Sequence, residues 1–248
     1  MLKRYFIQLS FNGTNYHGWQ IQKNAVSIQS LITKALSLLL KSEISITGCG
    51  RTDAGVHAKE FFAHFDIDKE LDDTQRKELT NKLNRFLPKD IVIHQIFTVE
   101  ASLHARFSAV SRTYKYYITQ QKNAFTLDFS FHFPHELNIE LMNKGAEILM
   151  KYTDFTSFSK LHSDTATNNC IIKSAKWEEI DGQLIFTICA DRFLRNMVRA
   201  IVGTLMDVGQ KKITLTDLKK IIHAKDRCSA GNSVPAAGLF LEKVEYTF

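Results

Sequence analysis

The chain has only four cysteines in 248 residues, and no two of them stand at the spacing of a zinc or redox motif. Cys49, Cys170, Cys189 and Cys228 are isolated along the sequence, which excludes a CxxC-type centre and favours four reduced thiols in a cytoplasmic protein. Proline is scarce, at three residues, and there is no Pro/Ser-rich linker or low-complexity segment to hold parts of the chain apart. No apolar run approaches the roughly 20 residues that span a bilayer, so no membrane association is expected. The N-terminal MLKRYFIQLSFNG carries a basic pair but only a short alternating apolar run, without the length or small-residue cleavage site of a signal peptide. There is no phosphate-binding loop, no GxSxG and no Cys-His signature, and the nine histidines nowhere join a cysteine or carboxylate at metal-ligand spacing. What remains is chemistry run by side chains, with neither metal nor organic cofactor expected.

What the chain does have is a modest excess of positive charge, 32 Lys and Arg against 26 Asp and Glu, for a net charge of +6 and a pI near 9.0. That favours a polyanionic partner, although a generally basic soluble surface gives the same totals.

Hydrophobic periodicity yields an ordered set of elements. Residues 3–10 alternate as a strand. Residues 27–41 follow helical spacing through Ile28, Leu31, Ile32, Ala35, Leu38 and Leu39, with Ser27 as N-cap. Strands follow at about 43–49 and 59–67, then a helix from Asp73 through Leu79, Leu83 and Leu87 that Pro88 ends, then the strand DIVIHQIFTV. The order is β-α-β-β-α-β. The second half repeats it: a strand at 112–119, a helix at 138–152, and strands at 171–180 and 183–190 joined by Asp181-Gly182. A helix over about 193–208 stops at Gly209, and an extra short helix and the strand LFLEKVEY complete the repeat. The expected fold class is α+β: two tandem ferredoxin-like halves, residues 1–105 and 106–248, with mainly antiparallel sheets packed into one body around a central basic cleft.

The two halves differ in one connection. Where the second has the tight Asp181-Gly182 turn, the first has the long GCGRTDAGVHA at 48–58. A loop grown beyond geometric need is a place to look for function. Its glycine and alanine neighbours let a ligand approach Asp53 closely, and Arg51 favours the ionised carboxylate. Such a group suits a nucleophile or a stabiliser of developing positive charge, and equally an ordinary capped turn with a solvated arginine; spacing alone does not separate the two.

Three further stretches combine aromatic, basic and glycine residues. FNGTNYHGWQIQ at 11–22 offers Tyr16 and Trp19 either to stack on bases or to pack in the protein. In ARFSAVSRTYKYYIT at 105–119, Tyr114 and Tyr116 share one strand face, opposite Lys115 and Tyr117, so that Tyr114 and Arg112 could hold a base and its phosphates. In DRFLRNMVRAIVGTLMDVG at 191–209, a helix starting near residue 193 puts Arg192, Arg195 and Arg199 on one side, suited to phosphates or a carboxylate, or simply to solvent. The aromatic FTLDFSFHF at 125–133 reads as an interface or as buried core. His57 and His64 fall on opposite strand faces, which makes them poor joint metal ligands.

Taken in order, FNGTNYHGWQIQ, SIQSLITKAL, GCGRTDAGVHA, HARFSAVSRTYKYYI, FLRNMVRAIVGTLMDVG and PAAGLFLEKVEY resemble the TruA-type tRNA pseudouridine synthases nearly end to end. The resemblance implies two ferredoxin-like halves and a homodimer that isomerises uridine to pseudouridine at positions 38, 39 and 40 of the anticodon arm of tRNA, without a cofactor. It places the catalytic aspartate on Asp53, the substrate-contacting tyrosine on Tyr114, the arginine paired with the carboxylate on Arg199, and a phosphate-contacting, base-extruding arginine on Arg51. The chain departs from the family's wording at Phe11-Asn12, at Cys49 and over 121–133 and 160–173.

Overall fold

Consecutive side chains on a strand point to opposite faces of its sheet. In β1 (Lys3–Phe11) one set, Tyr5, Ile7, Leu9 and Phe11, is apolar throughout and the other contributes Phe6, so that residues of both faces are covered; Tyr5, Phe6, Ile7 and Leu9 are wholly buried. Such a strand must be central. In the computed structural model, which describes residues 2–160 and 166–247, β1 pairs antiparallel with β3 (His57–Ile67) on one side and β4 (Ile91–Val99) on the other. The short β2 (Ile46–Gly48) adds antiparallel to β3, giving the order β4-β1-β3-β2. Two helices fill the crossovers: α1 (Ile28–Leu40) between β1 and β2, and α2 (Asp73–Phe86) between β3 and β4.

The helices form where local chemistry predicts. Ser27 caps α1 in a reciprocal capping box with Ser30, and Asp72 does the same for α2 with Gln75. Leu79 and Leu83 bury the inner face of α2, with Leu87 beyond its end also buried. The inner stripe of α1 differs from the spacing-based expectation: Ile28, Ile32, Ala35 and Leu36 are buried, while Leu38 is 56% exposed. The run of three leucines at 38–40 made the apolar arc look wider than the buried one.

The chain divides into two units, Met1–Val110 with Leu241–Phe248, and Ser111–Phe240. In the first, the C-terminal part of β9 (Leu239–Tyr246) lies beside β3. The Val244 amide donates to Glu60 at 2.9 Å, and the Tyr246 hydroxyl donates to the Ala105 carbonyl at 2.6 Å. Tyr246 meets Phe6 and Phe62 edge-on, covering the sheet face opposite Tyr5.

In the second unit β8 (Gln183–Ala190) is central, antiparallel to both β5 (Ala109–Thr119) and β7 (Ile172–Ile180). The two-residue β6 (Phe131–His132) pairs parallel with β5. Asp181 and Gly182 turn β7 into β8 with φ of 52° and 72°, as a two-residue hairpin of this composition requires. Helices α3 (Ile139–Leu149), α4 (Met197–Gly209) and α5 (Leu215–Ala224) complete the unit; α3 packs on β7, α4 and α5. Among the described residues the fold class is thus α+β, with five α-helices and mainly antiparallel pairing.

Helix α4 departs from expectation twice. It starts at Met197, not near 193, because Asn196 adopts a left-handed backbone, φ 67°, that ends the preceding turn. Arg192 and Arg195 therefore lie before the helix and share no helical face with Arg199. The helix is also buried almost all round, from Met197 to Gly209, rather than amphipathic. Gly209 is the last helical residue, but its role is packing: a β-carbon there would lie 2.6 Å from the Met142 sulfur.

In FTLDFSFHF, Phe125, Leu127 and Phe129 are exposed, so this stretch is not core. None of the four cysteines is in a disulfide, and Cys49 and Cys170 are buried. No helix among the described residues is long and apolar enough to cross a membrane. Residues 161–165, part of the divergent 160–173 segment, lie outside the described residues.

Candidate active site

The connection from β2 to β3, residues 49–56, carries Asp53. It leaves the sheet through Cys49, whose amide donates to the Phe62 carbonyl at 2.7 Å, and closes on a turn in which the Val56 amide donates to the Asp53 carbonyl at 3.2 Å. Arg51 is exposed and Asp53 is partly exposed on the same loop.

A second loop, residues 12–19, clasps the first. The Gly55 amide donates to the Tyr16 carbonyl at 3.3 Å and the Trp19 amide to the Thr52 carbonyl at 3.4 Å, so main-chain bonds bracket Asp53 on both sides. The Gly13 amide donates to Nδ1 of His57 at 3.1 Å, which leaves the other ring nitrogen of that buried histidine to carry the proton. The clasp has firm foundations. Trp19 stacks on Phe61 with ring centroids 4.2 Å apart, and a β-carbon on Gly48 would lie 2.5 Å from the indole. The Tyr16 hydroxyl donates to the carboxylate of Asp90, and the Asn12 amide donates to the Asp90 carbonyl at 2.9 Å. Burial, reinforced by the bond to Asp90, pushes the Tyr16 phenol well above its usual range. Tyr16 and Trp19 are buried, so of the two readings open to them, packing holds and base stacking does not.

His64, on the same strand as His57, serves a different purpose. Its Nδ1 accepts from the Ala105 amide at 3.1 Å, and its ring stacks on Phe6. Burial, with the Arg4 guanidinium nearby, lowers its pKa to about 4, so it stays neutral. Both histidines act as acceptors for backbone amides.

In the second unit, Tyr114 lies half-buried on β5, its ring edge-on to Phe193 with centroids 5.0 Å apart. Two residues on, along the same face, Tyr116 is wholly buried and donates to the Pro235 carbonyl at 2.8 Å. Burial raises the Tyr116 phenol, and the positive charge of Arg199 opposes that rise. Arg199 sits in the first turn of α4, where its Nε donates to the Val234 carbonyl at 2.7 Å and its own carbonyl accepts from the Val234 amide at 3.2 Å. Arg112, a second basic residue of β5, donates to the Asp191 carbonyl at 2.9 Å.

Sequence reasoning singled out Asp53, Arg51, Tyr114 and Arg199, and the fold groups them as two in each unit. It missed Asp90, which follows Pro88-Lys89 without any local motif and meets Tyr16 across 74 positions of sequence.

Asp53 is thus a partly exposed residue on a loop fixed on both sides by main-chain bonds. The family model for tRNA pseudouridine synthases matches residues 152–247. The tRNA pseudouridine synthase A of Azobacteroides pseudotrichonymphae is 52% identical over 245 residues, covering 99% of this chain and 97% of the relative. That of Parabacteroides distasonis is 51% identical, covering 99% and 96%, and that of Clostridium acetobutylicum 38%, covering 99% and 100%. The chain belongs to the tRNA pseudouridine synthase A family, and is thereby an isomerase.

Proposed function

We propose that this chain converts uridine to pseudouridine at positions 38, 39 and 40 in the anticodon stem-loop of tRNA, with Asp53 as the catalytic carboxylate and no cofactor. The observation that carries the proposal is the Asp53 loop itself, clasped on both sides of the aspartate, with Ala54 and Gly55 following it and the carboxylate residue left partly exposed. The near full-length identity to tRNA pseudouridine synthases supports the substrate class.

The chemistry asks for such a group. The N1–C1′ bond breaks, the uracil turns while held, and a C5–C1′ bond forms; the C5 proton leaves and N1 regains one, so the product is an isomer. A carboxylate beside the sugar serves this by stabilising cationic character at C1′, or by attacking the sugar or C6 of the base. A uridine in or beside a stem must first be flipped out, at a cost of roughly a few kcal/mol. In this reading Tyr114 stacks on the flipped base, Arg51 grips phosphate and assists extrusion, and Arg199 keeps the carboxylate charged. The reading takes the two units as ferredoxin-like halves and the enzyme as a cytoplasmic homodimer, which sedimentation over a range of concentrations tests.

The deciding experiment treats unmodified tRNA with wild type and with Asp53→Asn, and identifies product nucleosides by mass spectrometry after a pseudouridine-specific label. Wild type forms pseudouridine at the three sites; the variant binds tRNA and forms none. Turnover by Asp53→Asn at the wild-type rate removes the role of Asp53, and product at other positions removes the anticodon assignment.

A further inference from the structure

We propose that Tyr16 and Asp90 are positioning residues for Asp53, the hydrogen bond between their side chains setting the direction in which the Asp53 loop presents its carboxylate. The inference rests on the assignment of Asp53 as the catalytic group.

The path is short and continuous. Asp90 stands just before β4, next to the rigid turn at Pro88. It holds the 12–19 loop at two points, by its carbonyl to the Asn12 amide at 2.9 Å and by its carboxylate to the Tyr16 hydroxyl. The side-chain Nδ2 of Asn15 also donates to the second carboxylate oxygen, at 3.5 Å. Tyr16 in turn holds the catalytic loop, its carbonyl accepting from Gly55 two residues beyond Asp53. The Tyr16 ring is buried, while its hydroxyl reaches the partly exposed carboxylate of Asp90, so that bond ties the ring to the start of β4. Losing Asp90 removes that tie and frees the residue whose backbone fixes Gly55. The opposite bracket, Trp19 to Thr52, is anchored separately by stacking on Phe61 and survives that loss. The expected result is a tilt of the loop about its intact side, with the fold retained. A displacement of about 1 Å in a reacting group costs up to roughly a hundredfold in rate.

The test compares Tyr16→Phe, Asp90→Ala, the double variant and Asp90→Asn with wild type, with Asp53→Asn alongside, on unmodified tRNA. Tyr16→Phe and Asp90→Ala are each expected to lower kcat about tenfold or more with KM and tRNA affinity within about twofold, because binding groups are untouched. The double variant should be no slower than the slower single, since both remove one interaction. Asp90→Asn retains an acceptor oxygen and should restore most of kcat. A merely structural role would lower the melting temperature and the active fraction without this split between kcat and KM and without rescue by asparagine. Full-rate turnover by Tyr16→Phe and Asp90→Ala while Asp53→Asn is inactive overturns this inference alone, as do additive losses. Full-rate turnover by Asp53→Asn overturns the assignment of Asp53, and the inference with it.

Discussion

Gly18 passes so close to Thr52 that a β-carbon on the glycine would lie 2.1 Å from the Thr52 carbonyl oxygen. The backbone of Gly18 also has φ of +81°, a region that costs side-chain-bearing residues about 1–2 kcal/mol. Steric and torsional demands therefore fall on one residue, at the point where the 12–19 loop meets the loop that carries Asp53.

Gly18→Ala should consequently push the two loops apart. We expect a stability loss of about 1–3 kcal/mol in urea denaturation and a fall in single-turnover rate of about tenfold to a hundredfold. An alanine variant with native stability and rate would show that the clasp is not as tight as described.

Two other glycines make a contrast. A β-carbon on Gly203, inside α4, would lie 1.8 Å from the Asn232 carbonyl oxygen, whereas one on Gly50 meets nothing within 4 Å. Gly203→Ala is expected to destabilise by about 1–3 kcal/mol through overpacking. Gly50→Ala should change thermal unfolding by no more than about 0.5 kcal/mol. Equal effects in the two variants would contradict the packing of segment 231–234 on α4.

The buried imidazole of His64 makes stability depend on pH. Its pKa is lowered to about 4, while the unfolded chain protonates it at about 6.5. Between these values the unfolded state binds more protons, so stability is complete above about 6.5 and declines as pH falls towards 4. His104, also lowered by burial, contributes in the same sense, and Arg4, Arg106 and Asp66 are the charges facing the pair. Asparagine keeps an acceptor for the Ala105 amide but does not titrate. Urea denaturation of wild type should therefore lose more stability between pH 7 and pH 5 than that of His64→Asn, and parallel losses would refute the account.

Arg227 ties down the segment that orients Arg199. It donates to the Gly231 carbonyl at 3.1 Å and to the Ser233 hydroxyl at 2.8 Å, and that hydroxyl accepts from Asn196 at 2.6 Å. Arg227→Ala should cost about 1–2 kcal/mol and quicken amide exchange at Val234 by about tenfold or more. Unchanged protection at Val234 would show that the segment is held by other contacts.

Much of this architecture was legible because its causes are local. Ser27 before an apolar stripe, Pro88 after one, and Asp181-Gly182 between two alternating runs each act over a few residues, and each appears where expected. The errors have equally particular causes. Asn196 interrupts a run whose periodicity continues through it, so the helix seemed to begin four residues early and to gather three arginines. Gly209 matched a capping position but answers to Met142, a residue of another helix. At the site, the small residues around Asp53 are a local signature, whereas the Tyr16–Asp90 bond joins residues 74 apart and exists only once β1 and β4 have paired.

The grip on the loop that carries Asp53 is made by peptide groups, those of Tyr16, Trp19, Thr52 and Gly55, while Thr14, His17, Arg51 and Ala54 are exposed. Backbone geometry and surface chemistry are thereby assigned to different atoms of the same two loops. Exposed positions such as His17 and Ala54 can change without breaking either main-chain bracket, so sequence drift there leaves the seating of the Asp53 loop intact.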